Sequence, residues 1–295
     1  MTIRMPFHVE SSMTTAPSRF FCSQTAAIEG EPLAGTAPGG IREWLGIELD
    51  GGWEPKAIES EGISDALRDV LTHWQTPAHR RVQFLRVRPA EKRHVWLARG
   101  GVLWQWPFTD AATLRDEVTG PLPAHAIQVE HPVVWVCTHG KRDMCCARWG
   151  MPVYRRLVEV GGIRAAQTSH LGGHRFAATA LVLPQGILYG RLSASDAETF
   201  TEHAAAGQLW LDKVRGRSAL SARAQAAEVA ARRAIGRIAE PLRHVHEHDD
   251  HVIIGIGGDE LRVLTQREAG PELKTSCTAS TTKQTSWWRC DVVEE

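Results

Sequence analysis

Four residues in the middle of the chain have the types and spacing to hold a metal. Cys137 and Cys146 stand nine apart, His170 and His174 stand four apart, and 24 positions separate Cys146 from His170. Thiolate and imidazole are soft-to-borderline donors that suit zinc, iron–sulfur and related centres. The segment WVCTHGKRDMCCARWGMPVYRRL supplies the sulfurs and SHLGGHRFAATALVLPQGILYGRL supplies the ring nitrogens. The constellation points to a metal or iron–sulfur site.

Secondary elements must bring these donors together. PVVWVC (132–137) is a continuous apolar run that suits a central strand buried on both faces. A helix is expected from Cys145 to Val160, with Val153, Leu157 and Val160 on one face. RAAQTSH (164–170) reads as a short strand. If the two strands are adjacent and parallel, Cys137 and His170 end at one sheet edge, about 4.8 Å apart. Gly140 lets the loop turn so that Cys146 returns to the first helical turn, where the helix dipole is expected to favour its thiolate. Gly172 and Gly173 free the backbone so that His174 reaches the site beside His170. The alternative is that all four are packed thiols and capping imidazoles.

Other active-site readings fail on spacing. A cysteine phosphatase loop needs five residues between Cys and Arg, and Cys137 to Arg142 encloses four. A zinc-protease helix needs Glu after its first His, where Leu171 stands. Cys145 and Cys146 are adjacent, unlike a C-x-x-C redox pair, and a bridge between them would be strained. Structural zinc stays open, because two Cys and two His complete a tetrahedral site, although these spacings are not those of zinc fingers. Cys22, Cys277 and Cys290 have no partner spacing and are expected to be packed thiols. The run HVHEHDDH, with His244, His246, His248 and His251, is expected to be a solvated loop, although alternation would let three His share a strand face and take a divalent metal. GIGGDE (255–260) lacks a dinucleotide-binding context and reads as a hairpin turn.

The chain of 295 residues has 34 Lys plus Arg against 34 Asp plus Glu, so nothing suggests a nucleic-acid footprint or a polybasic membrane patch. No run approaches the length of a membrane span, and residues 1–21 lack an apolar secretory core and read as a flexible lead-in. The expected location is the cytoplasm, where six cysteines point to metal binding or reactivity rather than disulfides. Most of the eleven Trp are expected to fill core.

The organisation reads as two similar halves and a tail. In the first, strands are expected at 41–49 and 81–88, a helix at 63–74, a hairpin turned at Gly100 and Gly101, and a helix at 110–118 with Asp110 as N-cap. The second repeats the order, with its hairpin (178–192) turned at Pro184 to Gly186 and a capped helix ending at Gly207. Strand, helix, strand, hairpin, helix is the thioredoxin-like order. The expected fold is therefore α/β, with thioredoxin-like mixed sheets in two thioredoxin-like halves and an α+β C-terminal extension. The divisions are 1–125, 126–207 and 208–295. The extension holds an Ala-rich helix (222–239), a strand pair about Gly257, Gly258 and Asp259, an exposed loop from Pro271 to Gln284, and Trp287 and Trp288 docking the terminus.

At CTHGKRDMCC and HLGGHRFA the chain resembles the sucrase/ferredoxin-like family, and the likeness extends back to FCSQTAAIEGEPLAGTAP and forward to LVLPQGILYGRL. The resemblance implies a thioredoxin-like ferredoxin with a 2Fe–2S cluster ligated by Cys137, Cys146, His170 and His174. Position 145, often basic in the family, is Cys here, so Cys145 is an alternative ligand to Cys146. No paired-carboxylate glycosidase site is evident. Two neutral imidazoles in place of thiolates raise the potential; Rieske centres reach about −150 mV and above, against roughly −400 mV for all-Cys plant ferredoxins. Exposed imidazole N–H groups would couple reduction to pH, and Lys141, Arg142 and Arg175 are expected to add positive potential. The expectation is a one-electron carrier with unidentified redox donor and acceptor proteins. The alternatives are a zinc-stabilised binding module and a thiol-dependent reductase using Cys145 or Cys146.

Overall fold

The computed structural model describes residues 19–86 and 93–293. The expected lead-in up to position 18 and the end of the strand expected at 81–88 lie outside the described residues. One helix precedes the first half, α1 (Cys22–Ile28), in a segment with no element expected from the sequence. Then follow β1 (Glu43–Glu48), α2 (Asp65–Trp74), β2 (Arg80–Arg86), β3 (His94–Arg99), β4 (Val102–Pro107), α3 (Ala111–Thr119) and the short β5 (Ile127–Gln128). The second half contains β6 (Val133–Cys137), α4 (Met144–Val160), β7 (Arg164–Thr168), β8 (Ala180–Leu183), β9 (Ile187–Tyr189), α5 (Ala197–Ala205) and β10 (Val214–Arg217). The remainder is α6 (Ala222–Ile235), β11 (Leu242–Glu247), β12 (His251–Ile256), β13 (Asp259–Leu273) and β14 (Lys283–Val293).

The expected mixed α/β architecture is present. A ten-stranded sheet runs β10-β9-β8-β6-β7-β2-β1-β3-β4-β5, and a separate sheet runs β11-β12-β13-β14. Within the large sheet the same arrangement occurs twice. β1 pairs parallel with β2 and antiparallel with β3, and β3 with β4; β6 pairs parallel with β7 and antiparallel with β8, and β8 with β9. The two copies meet where β2 and β7 pair antiparallel, with Leu85 opposite Thr168.

Alternation along the strands assigns side chains to two faces. In β6, Val134 and Val136 enter the core beneath α4 and α5, with Val153, Leu157 and Phe200. Val133, Trp135 and Cys137 enter the core on the opposite side, which contains Trp44, Leu85, Trp96 and Cys146. A third core under α2 and α3 gathers Leu45, Ile47, Trp53, Leu71, Trp74 and Trp106. Trp44, Trp74, Trp96, Trp106 and Trp135 are fully buried, in keeping with a core role for the rings. Gly46 makes one close contact possible. A Cβ there would fall 2.6 Å from the Trp135 ring and 2.8 Å from Leu85, so only glycine lets that indole lie across β1.

Local caps follow the sequence. Ser64 Oγ accepts from Leu67 N–H at the start of α2, and Asp110 accepts from Thr113 N–H at the start of α3. Two expectations for the extension are corrected and a third holds over a shorter span. The Ala-rich helix stops at Ile235, because Gly236 adopts a left-handed conformation that ends it. The loop expected from Pro271 to Gln284 is present and shorter: β13 reaches Leu273, β14 begins at Lys283, and residues 274–282 between them are irregular. The histidine run is not a loop, since His244 and His246 lie on β11 at a sheet edge. There His244 pairs with Glu260 (2.8 Å) and His251 with Asp250 (2.7 Å). Among the described residues no helix is long and apolar enough to cross a membrane.

Candidate metal centre

Cys137 is the last residue of β6 and pairs in register with Thr168, the last residue of β7. The strand ends therefore lie side by side, and His170 follows two residues on. A buried network at the seam between the halves fixes that loop. Ser169 Oγ donates to Gln83 Oε1 (2.8 Å) and accepts from Phe84 N–H (3.0 Å), while Thr168 Oγ1 donates to Gln83 (3.2 Å). His139 ties the two ligand loops together. Its Nδ1 accepts from His170 N–H (3.3 Å), which leaves Nε2 protonated to donate to the Glu54 carbonyl (2.8 Å). Burial depresses its pKa, which suits this neutral tautomer.

α4 brings Cys146 into contact with Cys137. Asp143 is the N-cap, its Oδ1 accepting from Cys145 N–H at 2.9 Å. Further along, the helix passes directly over the cysteine-bearing strand. A Cβ on Gly150 would stand 2.1 Å from the Cys137 carbonyl oxygen, so glycine is required there.

Cys137, Cys146 and His170 place their ligand atoms within 4.8 Å of one another. His170 Nδ1 lies 3.5 Å from Cys146 Sγ and 3.9 Å from Cys137 Sγ. His174 does not join that trio. Its ring packs edge-on against His170 at 5.3 Å between centroids, and its Nδ1 is held by Asp143 Oδ2 at 2.8 Å. With Nδ1 committed to the carboxylate, only Nε2 remains to bind a metal. Gly172 and Gly173 both have positive φ, as the tight loop requires, and a Cβ on Gly173 would collide with the Arg215 guanidinium. That guanidinium donates to the Gly172 carbonyl (2.9 Å) and to Thr36, and so braces the histidine loop from behind.

The electrostatics correct two expectations. The hydrogen bond from Cys146, against the opposing effect of burial and with help from His170, holds the Cys137 thiol well below its ordinary range. Cys146 is raised well above its range, first by that same hydrogen bond and then by burial. The lowered thiol is therefore Cys137 at the strand end, not Cys146 as the helix dipole suggested, because Cys137 accepts the hydrogen bond the pair shares and is helped by His170 and the His139 backbone. The cations expected nearby are largely engaged elsewhere. Lys141 pairs with Glu54 (2.6 Å) and Arg175 with the buried Glu31 (2.8 Å). The positive charges coupled to Cys137 are Arg81 and Arg215, whose pKa values burial lowers and the Cys137 thiolate raises.

Cys145 turns away from Cys146. Its Sγ accepts from Ser23 Oγ (3.2 Å) and lies 3.6 Å from Cys22 and 3.1 Å from Cys277. Cys22 and Cys277 are thus not merely packed thiols, because α1 and the β13–β14 loop fold back onto the start of α4. Cys290 stays apart on β14, packed against the core of the smaller sheet as expected of a packed thiol, with its Sγ near the Trp288 carbonyl. A hydrogen bond from Cys22 and others from Ser23 and Cys277 lower the Cys145 pKa to about 6 against burial, while burial pushes Cys277 up to about 12. Among the described residues the His244–His251 run forms no group of three converging ligands.

The sequence left His139, Asp143, Gln83 and Arg215 without roles. His139 and Asp143 lie within the HGKRD segment, and an Asp just before a helix is a recognisable N-cap signal. On the outer side His170, His139, Arg81 and Arg142 line a cavity of about 770 Å³.

A family model described as sucrase/ferredoxin-like matches residues 34–216, more than half of the chain, and the chain belongs to that family. No curated protein and no solved structure matches it.

Proposed function

We propose that this sucrase/ferredoxin-like protein is an electron-transfer protein, a thioredoxin-like ferredoxin whose Cys137, Cys146, His170 and His174 hold one 2Fe–2S cluster. The observation that carries the reading is the convergence of two buried sulfurs and one imidazole at the ends of adjacent strands, with a second imidazole alongside. The donor set fits such a group: thiolate and imidazole are both established ligands of 2Fe–2S centres. A bound cluster would supply one-electron redox chemistry. The chain's own residues set its properties. Two neutral imidazoles make the site less negative than four thiolates, which favours a relatively high potential. Asp143 fixes the His174 ring and holds the proton on its Nδ1. The pH dependence expected of exposed imidazoles therefore falls to His170, whose Nδ1 faces the sulfurs and whose ring borders the cavity. That cavity is where a redox partner would come within range of the centre.

Visible absorption of anaerobically purified protein, with iron and sulfide analysis, tests the reading. Bands that bleach on reduction, with about two irons and two sulfides per chain, are expected. A colourless protein holding zinc at Cys137 and Cys146 would replace it with the structural-zinc alternative. The thiol-reductase alternative meets an obstacle in the complete burial of Cys145 and Cys146, at 0% and 1% exposure.

A further inference from the structure

Three cysteines outside the proposed cluster ligands meet beside it. The sulfurs of Cys22, Cys145 and Cys277 form a triangle with sides of 3.6, 3.1 and 3.7 Å. Three thiolates on one tetrahedral zinc, each at about 2.3 Å, stand about 3.8 Å apart, so two sides already match and the third needs to open by only part of an ångström. A carboxylate completes the set: a ligand oxygen of Asp143 lies within 4.8 Å of all three sulfurs, and Oδ1 is 3.9 Å from Cys22 Sγ. Cys22, Cys145 and Asp143 are buried, and Cys277 is half-buried. All three cysteines are free thiols.

We propose that Cys22, Cys145, Cys277 and Asp143 form a second metal site, distinct from the cluster site, that takes a thiophilic divalent cation of the zinc class. A disulfide accounts for the arrangement less well, since any pairing strands one thiol against two sulfurs it already touches. Three mutually facing donors around a carboxylate are a cation's coordination shell. The ligands come from three distant segments: the first residue of α1, the first turn of α4, and the β13–β14 loop. Two of them, Cys22 and Cys277, lie outside the region matched by the family. Zinc would displace the thiol protons to solvent without any change of oxidation state. It would clip the N-terminal helix and the C-terminal hairpin onto the helix that carries Cys146. His174, held by the same Asp143, links the two centres.

The site stands independently of the cluster reading, and metal analysis separates them. Full-length protein purified anaerobically, exposed to zinc and desalted, is assayed for zinc, iron and sulfide. Wild type is expected to retain about one zinc per chain, and Cys22→Ala and Cys277→Ala to lose it with iron content unchanged. Cys277→His, which restores a donor on the irregular loop, and Cys290→Ala are expected to keep it. Equal zinc in wild type and Cys22→Ala would overturn the proposal. So would loss of iron along with zinc in Cys277→Ala, which would make these sulfurs part of a single larger centre, or a Cys145–Cys277 disulfide found by peptide mapping of the wild type. If no iron is present at all, the zinc comparison between wild type, Cys22→Ala and Cys277→His still decides the second site.

Discussion

Cys145 and Cys146 are neighbours in sequence and belong to different groups in space. Cys146 faces Cys137 and His170, whereas Cys145 faces Cys22 and Cys277. Successive residues of an α-helix are rotated by about 100°, so two adjacent cysteines in a first turn point to different sides of the helix axis. One side meets the end of β6, and the other meets α1 and the β13–β14 loop. Each group has one thiol whose pKa hydrogen bonds from its neighbours lower, Cys137 in the first and Cys145 in the second. The Cys137 group is built from the repeated sheet and lies inside the family-matched region, while the Cys145 group recruits both flanks of the chain.

The sharpest way to break this comparison is to remove sulfur from one side only. Cys137→Ala or Cys146→Ala is expected to abolish the visible chromophore entirely, whereas Cys145→Ser leaves it in place. Absorption spectra of the three variants with matched iron analysis check this. A chromophore that survives Cys146→Ala and vanishes in Cys145→Ser would exchange the roles of the two groups.

A second substitution tests the scaffold beneath the Cys137 group. Gly150→Ala forces a methyl against the Cys137 carbonyl, and backbone cannot yield as a side chain can. Overpacking of this kind is expected to cost about 2–3 kcal/mol, read as a lowered urea midpoint with little change in slope. An unchanged midpoint would mean that α4 does not rest on β6 as described.

Asp143 sits between the groups and sharpens the comparison from both sides. Asp143→Ala removes the N-cap of α4 and the acceptor for Cys277 N–H (2.9 Å), an expected loss of about 2 kcal/mol. The pH dependence follows from its charge. Burial works against the carboxylate, but hydrogen bonds from His174, Cys277 and Cys145 depress its folded-state pKa below the usual carboxylate range. The stability it contributes is therefore fully present above the unfolded value of about 4 and is lost as pH falls towards the folded value. Urea unfolding of wild type and Asp143→Asn between pH 7 and pH 3 is expected to show a shallower acid loss in the variant. Parallel curves would mean that the charge on Asp143 is not differentially stabilised on folding.

The smallest effect expected concerns the two histidines. The midpoint potential of wild type is expected to fall at alkaline pH with a slope approaching about 59 mV per unit, for one proton carried by His170. His170→Cys is expected to flatten it and lower the potential, and His174→Cys to lower the potential while keeping the slope, because Asp143 holds the His174 proton. Redox titration from pH 6 to pH 10 checks the difference; equal slopes in the two variants would show that the histidines are equivalent.

The amino-acid sequence by itself determined the elements that repeat and the residues that end them. The continuous apolar run in VVWVC, helical spacing in α2, the Asp110 cap and the glycine turns are local properties of contiguous residues, which pattern and propensity record. The strand-end placement of Cys137 and the short distance to His170 followed from the βαβ order, since parallel neighbours finish at one edge. The tertiary structure decided which neighbour each sulfur meets. Cys22, Cys145 and Cys277 are separated by more than a hundred residues at each step, and no local pattern encodes a contact made by a short helix and a hairpin loop folding back onto α4. It also decided where charge resides. The helix dipole favoured Cys146, but it is Cys137 whose pKa is lowered, because a shared proton follows the sum of hydrogen bonds and burial around both sulfurs, which exists only once the chain is packed.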